Sequence, residues 1–194
     1  MKLTLLFLTF ISINIYSQNI GGGYLAKEWN KELSVFYGNA YLTKNIFKSK
    51  GEDVLRFETD ALAASNSGEI TTVLYKTEDG DIEGLLLCFY GSYWNEAGVV
   101  YTGYNFKNLE KEKAFEFLNL LQKNIDDNKD YLSKGGTTTY SGNNIYFKYD
   151  DINVIVGYVF GSLTIRLFWN TYDSSWNNTA FEKSKRRFEK RIKL

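Results

Sequence analysis

Apolar residues recur along this chain in three rhythms, and each predicts a different kind of element. The first is a predominantly apolar run, Leu3 to Ile15, behind Lys2 and ahead of the small residue Ser17. That order of positive, apolar and small residues reads as a secretory signal peptide. The run is shorter than the roughly 20 apolar residues that a membrane-spanning helix needs. Residues 1–17 are therefore read as a leader and residues 18–194 as a single α+β domain, secreted or periplasmic.

The second rhythm is a series of short β-branched and aromatic runs bounded by turn residues. Val54–Ala63, Ile70–Thr77, Ile82–Tyr90 and Val99–Phe106 form one group, and Thr137–Tyr140, Ile145–Tyr149, Ile152–Phe160 and Leu163–Asn170 form another. Asp79-Gly80 predicts a type I′ hairpin turn, and Gly161-Ser162 a type II′ turn. Ile82–Tyr90 and Ile152–Phe160 are apolar at nearly every position, which predicts strands covered on both faces. Leu163–Asn170 alternates, which places it near an edge or an open face.

The third rhythm is helical. Ala114, Phe117, Leu118, Leu121 and Ile125 form one stripe, with Asn108 predicted to cap it. Phe181, Lys185, Phe188 and Ile192 line a last helix, where Thr179 and Glu182 have capping-box spacing. Residues 19–52 fit either period; the reading is a short helix running into a strand. Both helices carry Ala-Phe-Glu, a match too short to argue duplication. The fold class is thus α+β: a twisted antiparallel sheet of about seven or eight strands, with two amphipathic helices packed on one face. The N-terminal segment is expected to cover part of the other face.

Composition narrows the chemistry. The chain has no His, no Pro and one Cys, with 23 basic and 23 acidic residues. One cysteine forbids an intramolecular disulfide, and Cys88 in its apolar surroundings reads as a small buried hydrophobe. Without His, the usual triads, zinc sites and the common neutral-pH base are missing. No phosphate-binding glycine loop or metal-ligand cluster is visible, so no cofactor and no metal are expected. Neutral charge gives no pull toward nucleic acid.

Four features remain as candidates. The loop bearing Tyr93, Trp94, Asn95 and Glu96 joins aromatic rings to an amide and a carboxylate, which suits a sugar ring or a protein partner. The reading that these aromatics close the core end is favoured over it. Trp176 is a candidate anchor, with a hydrophobic staple for the last helix as the favoured alternative. Lys183, Arg186, Arg187, Lys190 and Arg191 make the last helix basic, which suits contact with an anionic surface or simply a solvated face. Finally, Glu58, Asp60, Glu69, Glu83 and Glu96 are the carboxylates from which a glycan hydrolase would draw a catalytic pair. The leading expectation is an exported, non-enzymatic binding or interaction protein of the cell envelope or exterior, with a protein or glycan partner. The alternative is a carboxylate-dependent glycan hydrolase.

Overall fold

The computed structural model describes residues 27–47, 54–94, 97, 100–134 and 142–194, and the side chains of all of these except Tyr93, Trp94 and Tyr101. The leader, the glycines at 21–23 and 135–136, and the run at 137–140 lie outside the described residues.

Residues 27–45 form one continuous helix, α1. A short helix passing into a strand is therefore not what this segment adopts. Ser34, Gly38 and Leu42 are spaced by four, and all are buried. A Cβ on Gly38 would lie 3.2 Å from Leu86 Cδ2, so glycine lets the helix settle close to the sheet. This continuous buried row supports the helix, and the alternating reading of Leu33, Val35 and Tyr37 gives way to it.

Four strands follow: β1 (Phe57–Ala64), β2 (Ile70–Thr77), β3 (Glu83–Trp94) and β4 (Val100–Glu110). They pair antiparallel in chain order as one sheet. Two helices cross over, α2 (Lys111–Asp127) and α3 (Lys129–Lys134). A second four-stranded meander comprises β5 (Asn144–Tyr149), β6 (Ile152–Val159), β7 (Ser162–Trp169) and β8 (Tyr172–Asn177), again in chain order. Helix α4 (Asn178–Arg191) ends the fold. The class is α+β, but the strands form two sheets of four and not one of seven or eight. The α2–α3 crossover separates β4 from β5, and the second meander meets the first through β8, which lies against β3 and β2, with α2 and α4 packed beside them.

The main core lies between the sheets. Leu85, Leu87 and Phe89 of β3 meet Val154, Val156, Ile165, Leu167 and Trp176, with Phe117, Leu121, Phe181 and Phe188 contributed by α2 and α4. Phe89 makes ring contacts with Trp169 at 5.1 Å and Tyr172 at 6.1 Å. The opposite face of the first sheet carries Val73, Tyr75, Leu86 and Cys88 beneath Leu42 and Phe47. Strand β3 is thus buried on both faces, as its apolar run implies, and the N-terminal segment does cover the second face.

Strand β6 differs from expectation. Ile152, Val154 and Val156 are buried, whereas Asn153 and Ile155 are only half covered. The second sheet has one open face, on which Tyr146 is 65% exposed and donates to Asn153 Oδ1 at 2.9 Å. Alternating β7 is an inner strand, and its polar positions look out on that open face.

Local chemistry explains the remaining differences. In the Asp79-Gly80 turn only the glycine has positive φ (+78°), and Gly80 N–H donates to the Thr77 carbonyl. The type I′ form needs positive φ at both central residues, so this is not that turn. The β6–β7 turn has it instead, with Phe160 at +48° and Gly161 at +82°, so type II′ is also corrected. Asn108 does not cap α2. It remains in β4 and accepts a 2.6 Å hydrogen bond from the hydroxyl of fully buried Tyr75, which otherwise would lack a partner. The capping box is likewise absent: the N-cap of α4 is Asn177, and Glu182 accepts from Asn178 Nδ2 at 2.7 Å.

Candidate functional site

Because α1 lies on the row Ser34–Gly38–Leu42, its neighbouring row overhangs the edge strand β4. That row is Leu33, Tyr37, Ala40, Tyr41, Lys44 and Asn45. Beneath it, alternate residues of β4 point to the same face, namely Thr102, Tyr104 and Phe106, with Tyr90 beside them on β3. The two rows enclose an open cleft of about 700 Å³.

Its walls are aromatic and in mutual contact. Tyr104 lies 5.2 Å from Tyr37, 4.7 Å from Tyr90 and 6.3 Å from Phe106, the last pair being nearly parallel at 10°. Tyr41 meets Phe106 at 5.3 Å. Tyr37 remains 44% exposed, so one ring of this chain stands open to a ligand. Burial pushes the Tyr104 hydroxyl up to about 12 and also raises that of Tyr41. These phenols therefore stay neutral near pH 7 and offer hydrogen bonds instead of charge. Among the described residues Lys44 is the one cation of the lining, and no Asp or Glu lines it. The arrangement suits stacking on an uncharged ring, with hydroxyl and amide groups to orient it.

The predicted residues are placed as follows. Tyr93 and Trp94 extend β3 beyond the cleft floor, their backbones paired with Tyr101 and Val100. Their side chains, and Asn95 and Glu96 altogether, lie outside the described residues. Trp176 is not an anchor: it is fully buried and stands edge-on to Phe181 at 5.3 Å and 82°. It precedes the N-cap, and Phe181 is the fourth helical residue, which is the geometry of a hydrophobic staple.

The basic helix divides. Arg191 is paired with Glu58 and Asp60, and Arg187 donates to the Leu62 carbonyl at 2.7 Å. Arg186 and Lys190 face solvent. Lys183 turns toward Lys27 and Lys31 of α1.

The carboxylates are dispersed. Glu58 and Asp60 hold Arg191, Glu69 accepts from the Ser175 N–H at 2.6 Å, and Glu83 pairs with Lys111 at 2.6 Å. Asp81, Glu83, Glu110 and Glu112 do border another cleft, of about 530 Å³. There Glu83 is neutralised by Lys111, and Glu112 lies in the first turn of α2, where the helix dipole favours an acid. Among the described residues no cluster of potential ligands could hold a metal ion.

Sequence reasoning missed Tyr37, Tyr41, Tyr90 and Tyr104. The signal was present: Leu33, Tyr37, Tyr41 and Lys44 follow helical spacing, and Thr102, Tyr104 and Phe106 alternate. It becomes legible only once 27–45 is known to be one helix. No protein-family model matches the chain, and neither a curated protein nor a solved structure shows significant similarity to it.

Proposed function

We propose that this chain is a non-enzymatic binding protein of the cell envelope or exterior, and that the α1–β4 cleft receives a ring-bearing, uncharged ligand of glycan type. The observation that carries this reading is the contiguous set of Tyr37, Tyr41, Tyr90, Tyr104 and Phe106 around one open cleft of about 700 Å³. That volume falls within the usual range for small-ligand sites. Thr102, Asn45 and the neutral phenols supply the polar contacts that a sugar requires. Export is supported by the Met1–Ser17 pattern, and among the described residues no helix is long and apolar enough to cross a membrane. The β3–β4 backbone pairing continues from the cleft floor as far as Trp94 and Val100. The second reading, a carboxylate-dependent hydrolase, draws no support from this cleft, since among the described residues no acid lines it.

The test is binding to a panel of envelope and extracellular oligosaccharides by calorimetry, with intact product recovered afterwards. Tyr37→Ala removes an exposed ring, so we expect affinity to fall at least tenfold while Tm moves by no more than about 2 °C. Cleavage of the glycan, or unchanged affinity in Tyr37→Ala, would refute the assignment.

A further inference from the structure

We propose that the cavity between the start of α1 and the start of α4 binds a compact, doubly charged oxyanion of phosphate or sulfate type, held by Lys27, Lys31 and Lys183. The cavity measures about 400 Å³ and is lined by those three lysines with Glu28, Asn66, Thr179 and Ala180 among others. It lies at the opposite end of α1 from the aromatic cleft and does not depend on the reading given to that cleft.

The charges here do not balance. Four cations gather from two helices remote in sequence: Lys27, Lys31, Lys183 and the neighbouring Arg187. The one carboxylate among the lining residues, Glu28, is engaged by Lys31 at 2.9 Å. Lys27 reaches only a neutral acceptor, Asn66 Oδ1, at 3.2 Å. Lys183 has no hydrogen-bond or ion-pair acceptor among the described residues. Its ammonium is held below the ordinary lysine range, first by Arg187, then by burial and by Lys31 and Lys27. Four cations against the single carboxylate of Glu28, which offsets only part of their repulsion, leave an excess of positive charge that a polyvalent anion would relieve.

The fold holds this arrangement in place. Asn177, at the N-cap of α4, makes no side-chain cap bond to its own helix. Its Oδ1 instead accepts from the Asn66 N–H at 2.9 Å, tying the β1–β2 turn to the rim of the cavity. The first turn of α4 therefore adds its positive end to a site that the lysines already define. Arg187 is anchored on the Leu62 carbonyl and cannot swing away without losing that bond. The cavity leaves room for a group esterified to the anion, so the same chemistry could reach it as free phosphate or as a lipid headgroup.

The experiment is calorimetry of the full chain in chloride, phosphate and sulfate at matched ionic strength, with isothermal titration of inorganic phosphate. At ten times its Kd, phosphate is expected to raise Tm by about 3–6 °C over chloride. Lys183→Gln carries a signature that a merely structural lysine would not. In chloride its Tm equals or exceeds that of the parent, because repulsion is relieved, while its phosphate affinity falls about tenfold. Lys31→Gln should weaken phosphate in the same way, Glu28→Gln should tighten it, and Lys190→Gln should leave it unchanged. Vesicles of phosphatidylglycerol against phosphatidylcholine separate the sources. Capture that phosphate displaces and Lys183→Gln weakens points to a headgroup; response to inorganic phosphate without capture points to a free anion. Equal Tm in phosphate and chloride, or a phosphate response that survives both lysine substitutions, overturns the proposal. So does vesicle capture that phosphate leaves intact and Lys190→Gln abolishes.

Discussion

Trp176 offers the sharpest check on the architecture, because its ring has two measurable properties with opposite consequences. It is fully buried and packs edge-on against Phe181, so truncation to Ala removes a large core side chain at the junction of β8 and α4. Such truncations cost about 3–5 kcal/mol. In a chain of this size that corresponds to a Tm loss of roughly 6–20 °C. Yet its Nε1–H is buried without an acceptor among the described residues. Leaving a donor unpaired costs about 1–3 kcal/mol, and Trp176→Phe removes that penalty while shedding part of the ring. The packing loss and the relief are similar in size, so the net change for Phe should be within about 1 kcal/mol. Thermal and urea unfolding followed by circular dichroism would measure both variants, with equal m-values as the check on two-state behaviour. A Trp176→Ala Tm within about 2 °C of the parent would show that the staple is not part of the core. A Trp176→Phe loss equal to that of Ala would show that the indole N–H does have a partner.

Two further outcomes follow from the electrostatics. Burial alone would raise the Asp151 carboxyl, but hydrogen bonds from Lys107 and the Trp169 Nε1–H outweigh it and hold the group below the usual range. A carboxylate with a lowered folded-state value stabilises above the ordinary carboxylate range and loses that contribution as pH falls through its folded value. Asp151→Asn should therefore lower Tm slightly at pH 7, since the group is partly exposed and screened, and the gap should close in acid. A gap that is constant across the titration would contradict this. Burial also pushes the Cys88 thiol well above its ordinary value, so a thiol-exchange reagent should label it only as fast as the protein unfolds. Rapid stoichiometric labelling of the native chain would show an open path to the sulfur.

The parts of the fold legible in the sequence are those written by local periodicity. The stripe from Ala114 to Ile125 is buried as a unit, and the doubly apolar run of β3 is covered on both faces. Strand β8 went unread because Tyr172-Asp173-Ser174-Ser175 is polar. Its inward positions, Tyr172, Ser174 and Trp176, are buried only because the other sheet lies across them. Both expected caps fail for tertiary reasons: the Asn108 amide serves Tyr75 within the sheet, and α4 begins at Asn177, two residues before Thr179, with the Asn177 amide bound to Asn66. The site was illegible for the same reason. Tyr37 and Tyr104 meet across sixty-odd residues, and Lys31 and Lys183 across about a hundred and fifty, distances that no local rhythm encodes.

Each meander with its trailing helix looks, on a topology diagram, like half of a tandem pair. The shared layer of Phe89, Trp169 and Tyr172 means that the main interior belongs to both halves, and the first half alone keeps only the smaller core beneath α1. A gene cut between residues 134 and 142 should thus yield two pieces that are sticky apart and competent only when mixed. Any natural exchange of one half among relatives would have to carry a matching inner surface with it.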